Sequence, residues 1–126
     1  MRQAKFQVKE EIEEKFQKQI QALKKFSWEK CGLMIRPPRS QEEVSDEGEA
    51  LRHAVVWYLE KMSEGATAIL FIRRVSEPDE PFYTLELNPK TLKVVQCRTK
   101  HNASYEENPE VMDFVETWVK EVVWRV

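Results

Sequence analysis

The chain has 126 residues, of which 41% are hydrophobic and 33% are charged, and this size fits one globular domain with a single core. Its 20 Lys and Arg side chains and 22 Asp and Glu side chains give a net charge of −2, which excludes a protein-wide positive field for recruiting nucleic acid but allows a local basic patch. No apolar run approaches the ~18 residues that span a bilayer, and the N-terminus lacks the apolar segment of a secretory signal, so we expect no membrane partner and a cytoplasmic location.

The first 27 residues predict a long amphipathic helix that is rich in Gln, Lys and Glu. Apolar residues recur in it every three or four positions, which places one narrow stripe along a helix: Val8, Ile12, Phe16, Ile20 and Leu23. So narrow a stripe can pack on the rest of the chain or on a second copy of itself, which would give a homodimer. We divide the chain into this N-terminal amphipathic helix, residues 1–27, and an α+β domain, residues 28–126.

A short strand and the start of a second helix follow. Leu33–Arg36 has the composition of a strand and is ended by Pro37 and Pro38, because proline cannot donate to a ladder. We expect this strand at the edge of a sheet. Ser40 followed by Glu43 is a capping box, which predicts that the next helix begins directly after this serine.

The stretch from Glu47 to Gly65 predicts the helix around which a site would be organised. Its apolar residues have helical spacing and form one packing stripe: Leu51, Ala54, Val55, Tyr58, Leu59 and Met62. Gly48 can kink this helix or separate a short first segment from the main helix, and Gly65 is placed to end it in the left-handed backbone region. His53 lies beside the stripe, where a histidine is more often a packed core residue than a catalyst, although imidazole suits proton transfer near neutral pH.

After this helix the apolar period changes from helical to extended. Strands are predicted over 67–75, 82–88 and 92–98, with a tight turn at 88–91 that joins the last two. A final helix begins at the dipeptide Asn108-Pro109, which is typical of an N-cap and a first turn. We therefore expect an α+β fold in which helices pack on an antiparallel sheet of three to four strands, in the order α-β-α-β-β-β-α.

The turn at 88–91 suggests a register for the last hairpin. If its end residues face each other, the opposing pairs are Leu87 with Leu92, Glu86 with Lys93, Leu85 with Val94 and Tyr83 with Gln96. This register predicts that Gln96 and Arg98 project from the same buried face as the leucines, toward the helices and His53. A buried arginine needs an anion, a carbonyl or water, so Arg98 is expected either to pair with a helix carboxylate or to bind a ligand.

The cysteines and histidines do not form a metal or cofactor motif. Cys31 and Cys97 lie far apart, neither belongs to a CxxC pair, and His53 and His101 are too scattered for a zinc site. Cys97 and His53 as nucleophile and base are disfavoured, because Cys97 would point away from Gln96. The sequence contains no phosphate-binding loop and no nucleophile elbow, so we expect no metal and no cofactor.

Short motifs run through the chain in a fixed order: IRPPRS at 35–40, EGEALRH at 47–53, ILFIRR at 69–74, PFYTLEL at 81–87, VVQCRTKHN at 94–102 and PEVMDFVETW at 109–118. This series resembles the C-terminal domain of the PcfJ-like proteins, a family carried by conjugative plasmids, phages and related mobile elements. The residues that match the family pattern are His53, Tyr58, Arg73, Thr84, Glu86, Gln96, Arg98, Lys100 and Asn102. The resemblance brings no established biochemical activity with it.

The chain departs from the family pattern in its central helix. The pattern has Cys-Val-Gly-Gly where this chain has Ala54-Val55-Val56-Trp57, and it has Gly where this chain has Thr99. Replacing two helix glycines by larger residues should straighten the helix and fill the space beside it. Natural divergence toward a binding surface and engineering of a filled pocket would both produce this change.

The function that we prefer from the resemblance is that of a mobile-element accessory protein that acts by binding. A protein partner would contact Trp57 and the N-terminal helix, since aromatic side chains often anchor interfaces. A nucleic acid would contact the cations that follow the predicted strands, namely Arg73, Arg74, Arg98 and Lys100.

Two alternatives stay open. The first is an enzyme of unknown reaction, in which His53 exchanges protons while polar residues of the last strand and its loop hold an anionic substrate. Those residues would be Gln96, Arg98 and Asn102, so the full set of candidate ligand-binding or anion-binding residues is Arg73, Gln96, Arg98, Lys100 and Asn102. The second alternative is an engineered scaffold with a filled pocket and no activity.

Overall fold

The computed structural model describes residues 2–51 and 59–125. In this part of the chain the helices are α1 (Arg2–Leu23), α2 (Gln41–Leu51), α3 (Leu59–Ser63) and α4 (Pro109–Glu121). The strands are β1 (Trp28–Lys30), β2 (Leu33–Arg36), β3 (Ala68–Arg74), β4 (Tyr83–Leu87) and β5 (Val94–Arg98). None of the described helices has the combination of length and apolar composition that would let it cross a membrane.

The strands form one sheet in the order β1-β2-β3-β4-β5, and every neighbouring pair is antiparallel. The predicted α+β class is confirmed, although the sheet has five strands where we expected three to four. The additional strand is β1, which pairs with β2 across a turn where Cys31 and Gly32 have φ angles of 52° and 82°. Because β1 lies outside β2, the expectation that Leu33–Arg36 forms an edge is wrong.

Local signals place the described helix ends where the sequence predicts them. At the start of α2, the Oγ of Ser40 accepts a hydrogen bond from the N–H of Glu43 at 3.1 Å. Gly65 follows α3 with a φ of 75°, a conformation that costs glycine little. Asn108 precedes α4, and its Oδ1 accepts from the first N–H groups of that helix. Gly48 is buried inside α2, with helical residues on both sides.

The predicted register of the β4–β5 hairpin is wrong because the turn is longer than the sequence suggests. Oδ1 of Asn88 accepts from the N–H of Thr91 at 3.1 Å, and Leu92 takes a φ of 59°. The N–H of Asn88 donates to the carbonyl of Lys93, two residues beyond the position that we expected to face it. The asparagine side chain therefore stabilises a wider turn before pairing begins.

A bulge then shifts the pairing by one more residue. The register passes from Leu87–Val94 to Glu86–Gln96 and skips Val95, which is 57% exposed. Since paired residues share a face and successive residues along a strand do not, Gln96 and Arg98 lie on the face opposite Leu85 and Leu87. The prediction that they share a face with these leucines is wrong.

Helices cover both faces of the sheet. By strand pairing one face carries Trp28, Leu70, Ile72 and Leu85, and on this face the ring of Phe114 from α4 lies 5.4 Å from that of Trp28. The other face, which we call the polar face, is covered by α2. By strand pairing its polar members are Glu29, Arg36, Arg73, Thr84, Glu86, Gln96 and Arg98.

The second half of α1 packs on its own chain. Phe16, Ile20 and Leu23 are buried in the core, and α1 lies against α3. Nε2 of Gln17 donates to the carbonyl of Arg39 at 3.2 Å, which ties the helix to the segment after β2. This part of the predicted stripe is therefore covered within the chain, while dimerisation through the helix stays a prediction.

Candidate functional site

A carboxylate and a guanidinium pair in the buried space between α2 and the polar face. Glu47 of α2 and Arg73 of β3 are 1% and 2% exposed, and two hydrogen bonds of 2.8 and 2.5 Å join them. The hydroxyl of Thr84 donates to the same carboxylate at 3.1 Å. Burial raises the pKa of Glu47 above its ordinary value, while the hydrogen bonds and charge of Arg73 and the Thr84 hydroxyl oppose that rise. This pair fixes α2 on the sheet.

A second pair lies one helical turn earlier. Arg36 donates to both carboxylate oxygens of Glu43, at 2.8 and 3.0 Å, and the N–H of Arg39 donates to Glu43 at 2.8 Å. Burial alone would raise the pKa of Glu43, but the hydrogen bonds and charges of Arg36 and Arg39 outweigh it, so this pKa lies below its ordinary value. The ring of Phe71 lies between the two pairs, 5.7 Å from the Arg36 guanidinium and 4.6 Å from that of Arg73.

The lowered pKa of Glu43 predicts a loss of stability in acid. As the pH falls, the Glu43 carboxyl takes up a proton in the unfolded chain before it does so in the folded protein. The stabilisation by Glu43 is therefore fully present above the unfolded pKa and is lost as the pH falls through the folded pKa. We expect the difference in unfolding free energy between the natural chain and Glu43→Gln to shrink between about pH 6 and about pH 3. Urea unfolding at several pH values measures it, and a difference that stays constant with pH would contradict the prediction.

Glu86 organises a third cluster on the polar face. Its carboxylate accepts from the hydroxyl of Thr67 at 2.6 Å and from Nε2 of Gln96 at 3.0 Å. Gln96 thus lies on the polar face, the same face as Arg98, and its side-chain amide donates to Glu86.

Arg98 and the turn after β5 lie beside α2. Arg98 is opposite Thr84 in the sheet, and its Nη1 donates to the carbonyl of Asn102 over a long 3.5 Å. Its buried Nε has no hydrogen-bond partner within the described residues. Lys100–Asn102 forms a 3₁₀ turn that contacts α2, and His101 there has a φ of 56°. The structure therefore gathers Gln96, Arg98 and Asn102 near one another, while the predicted His53 and Trp57 lie outside the described residues.

Arg74 and Thr99, the residue before Lys100, both contact Phe82 at one end of the sheet. The guanidinium of Arg74 is 4.3 Å from the centre of the Phe82 ring, and the hydroxyl of Thr99 donates to the Phe82 carbonyl at 2.6 Å. Lys100 follows Thr99 directly, and both cations are exposed. An arginine held over a ring in this way can still donate from its N–H groups to a ligand.

Comparison with known proteins places the chain in one sequence family. The sequence model of the PcfJ-like protein family matches residues 2–112, which is most of the chain and includes the N-terminal helix. The chain belongs to the PcfJ-like family. A curated relative, "Uncharacterized protein Lin1253/Lin1744" of Listeria innocua, is 28% identical over 120 residues, which cover 93% of this chain and 26% of that protein. The chain thus spans about a quarter of the length of that relative. No solved structure matches this chain.

Sequence reasoning about this PcfJ-like chain missed Glu47 and Glu43 as partners of the sheet. A signal was present, because Val44, Gly48 and Leu51 have the spacing of one buried helix face and Glu47 falls among them. A carboxylate on such a face requires a cation or several donors. The sequence offers several arginines as its partner, so the choice of Arg73 was not predictable from spacing.

Cys97 does not supply this PcfJ-like chain with an activated nucleophile. Its side chain points away from Gln96, as the sequence predicted, but it is buried on the face of Leu85, its strand partner, where the predicted register had placed Gln96 instead. Burial raises the pKa of the thiol far above its ordinary value, and the nearby charge of Arg98 only partly opposes this. The thiol is therefore neutral at physiological pH. Across 2–51 and 59–125, no group of three or more His, Cys, Asp or Glu residues is arranged to hold a metal ion.

Proposed function

We propose that this PcfJ-like chain is an accessory protein of mobile genetic elements and that it acts by binding the phosphate backbone of a nucleic acid. The observation that supports this best is that three cations lie at the end of the sheet where β3 and β5 both end, and one of them, Arg74, is held over the ring of Phe82. Arg74 ends β3, Arg98 ends β5, and Lys100 lies in the turn that follows. Phosphate contacts of this kind hold a nucleic acid without reading its sequence.

These cations differ in how much of their donor capacity is already used. Arg74 is stacked and exposed, and Lys100 is exposed on its turn. Arg98 makes one long hydrogen bond and keeps its Nε without an acceptor in the described chain. Arg73, which we included among the candidates, directs both terminal nitrogens at Glu47 and is 2% exposed, so its role in this proposal is to position α2.

The described geometry supports binding better than catalysis. Glu43, Glu47 and Glu86 each accept hydrogen bonds from a neighbouring cation, hydroxyl or amide, and the Cys97 thiol is neutral. The enzyme alternative requires His53 and the scaffold alternative concerns 54–57, and both lie outside the described residues. Small groups of exposed cations bind phosphate without further chemistry.

The proposal predicts weak binding with a strong dependence on salt. About three phosphate contacts give a slope of roughly −2 to −3 when the logarithm of the binding constant is plotted against that of the salt concentration. We expect Arg74→Gln and Lys100→Gln each to reduce this slope by about one. Fluorescence anisotropy with labelled double-stranded and single-stranded oligonucleotides measures both quantities.

Lys90→Gln is the matched control, since Lys90 is exposed in the turn at the other end of the β4–β5 hairpin. Its slope should equal that of the natural chain. A slope near zero for the natural chain would reject the phosphate contact. An equal reduction of the slope in Lys90→Gln and in the two test variants would also reject it. Association that does not depend on salt would instead favour a protein partner, for which Trp57 and the N-terminal helix are the candidates.

A further inference from the structure

A cleft of about 460 Å³ separates the second half of α1 from the segment that follows β2. Three cations line it, with Lys24 on the α1 side and Arg36 and Arg39 on the other. Within the described chain, no carboxylate belongs to its lining. This volume lies in the range of small-molecule sites, which is about 300–1,000 Å³.

Two of the three cations are free to take up a ligand. Arg39 is 65% exposed, and its ion pair with Asp79 is 3.8 Å long and reaches a carboxylate that is 84% exposed. Such a surface pair contributes little, so an anionic ligand can replace it. Lys24 is exposed and has no acidic partner among the residues that the structure describes.

Arg36 is held in place by its own hydrogen bonds. Its two terminal nitrogens bind Glu43, and one of them also donates to the carbonyl of Pro37 at 3.0 Å. Its Nε is buried and therefore inaccessible to a ligand in the cleft. Arg36 thus contributes positive charge to the lining, while Lys24 and Arg39 supply the accessible donors.

We propose that this cleft binds a phosphate monoester of nucleotide size. Around the cations, Gln21 adds an amide donor and Ser27 a hydroxyl donor, whereas the side-chain N–H groups of Gln17 already donate to Glu13 and to the carbonyl of Arg39. The cleft offers more hydrogen-bond donors than the two oxygens of a carboxylate can accept from. A terminal phosphate suits it better, because it has three strongly accepting oxygens and nearly two negative charges.

The shape of the cleft leaves room for the organic part of the ligand. Ile20 and the buried prolines Pro37 and Pro38 form an apolar side next to the charged one. Consecutive prolines restrict the backbone between Arg36 and Arg39, so both arginines are presented to the cleft at a low cost in entropy. A sugar or base would pack on the apolar side while the phosphate meets the cations.

This inference is independent of the proposed backbone contact. Leu33 pairs with Arg74 and Arg36 pairs with Phe71, so the cleft arginine and the stacked arginine lie at opposite ends of the β2–β3 pairing. Different residues are substituted in the tests of the two sites, so either proposal can fail while the other stands.

Nuclear magnetic resonance titration of the full chain with adenosine 5′-monophosphate and with inorganic phosphate tests the cleft. We expect saturable shifts of the amides of Lys24, Ser27 and Arg39, with a dissociation constant below about 1 mM for the nucleotide at low salt. Lys24→Gln and Arg39→Gln should each weaken binding at least about fivefold, because each removes one cation that contacts the phosphate. Both side chains are exposed, so the variants should keep the fold, and thermal unfolding checks this.

Lys18→Gln is the matched control, since Lys18 is exposed on α1 and does not line the cleft. Paired oligonucleotides with a 5′-phosphate or a 5′-hydroxyl distinguish the source of the monoester. Tighter binding of the 5′-phosphate strand than of the free nucleotide would identify a strand end, and the reverse would identify a free nucleotide; either result supports the cleft. The absence of shifts at Lys24, Ser27 and Arg39, or an equal loss in Lys18→Gln, would overturn it.

Discussion

Replacing Glu47 with Leu is expected to destabilise the protein by about 3–5 kcal/mol, because it leaves the Arg73 guanidinium buried without its partner. Both side chains are almost fully enclosed between α2 and the sheet. A charge in such a place cannot turn to water, and the arginine cannot lose its proton. Urea unfolding followed by circular dichroism gives the free energy, provided that the slope of the transition is unchanged.

The double variant Glu47→Leu/Arg73→Met separates the penalty of an unpaired charge from the value of the pair. We expect it to recover most of the loss and to come within about 1–2 kcal/mol of the natural chain, since apolar residues often replace a buried ion pair at little cost. Glu49→Leu is the control, because Glu49 is an exposed acid on the same helix and should change stability by less than about 0.5 kcal/mol. A loss of under about 1 kcal/mol for Glu47→Leu alone would show that water reaches Arg73.

Truncating Trp118 to Ala is expected to cost about 3–5 kcal/mol. This residue of α4 is fully buried, and its Nε1 donates to the carbonyl of Phe26 at 2.7 Å, with the two rings 6.3 Å apart and edge-on. It therefore joins the last helix to the turn between α1 and β1. Truncation leaves a large cavity as well as an unpaired carbonyl.

Trp118→Phe divides these two contributions. It keeps most of the volume but removes the donor, so the expected loss is about 1–3 kcal/mol. Trp124→Ala is the matched control, since Trp124 is 64% exposed and should change stability by less than about 0.5 kcal/mol. Equal losses at the two tryptophans would contradict the assignment of Trp118 to the core.

The buried Glu47–Arg73 pair and the partly exposed Glu43–Arg36 pair show how α2 is directed to one face of the sheet. Glu43 and Glu47 lie one turn apart on the helix, and they meet Arg36 and Arg73 on neighbouring strands. Sliding the helix by one residue would separate both pairs together. Such a register role for buried charges is well attested in coiled coils and accounts for their presence here.

The sequence by itself determined the features that depend on residues within about one helical turn of each other. The helix start at Ser40, the glycine that ends α3 and the asparagine before α4 were all predicted, because a cap is made by a side chain and a backbone group three or fewer residues away. The α+β class followed from the change of apolar spacing after Gly65, because this spacing is also a local property of the sequence.

The tertiary structure alone decided the register of β5 and the partner of each buried charge. Glu47 and Arg73 are 26 residues apart, and Thr84 is 37 residues from Glu47. The sequence pattern did not separate the two faces of the sheet, since buried Thr84 and Glu86 alternate with buried Leu85 and Leu87 along β4. Which face receives polar residues is set by the helix that covers it. The carboxylates of α2 stabilise Arg73 and Thr84 on one face, and the apolar stripe of α4 excludes such groups from the other.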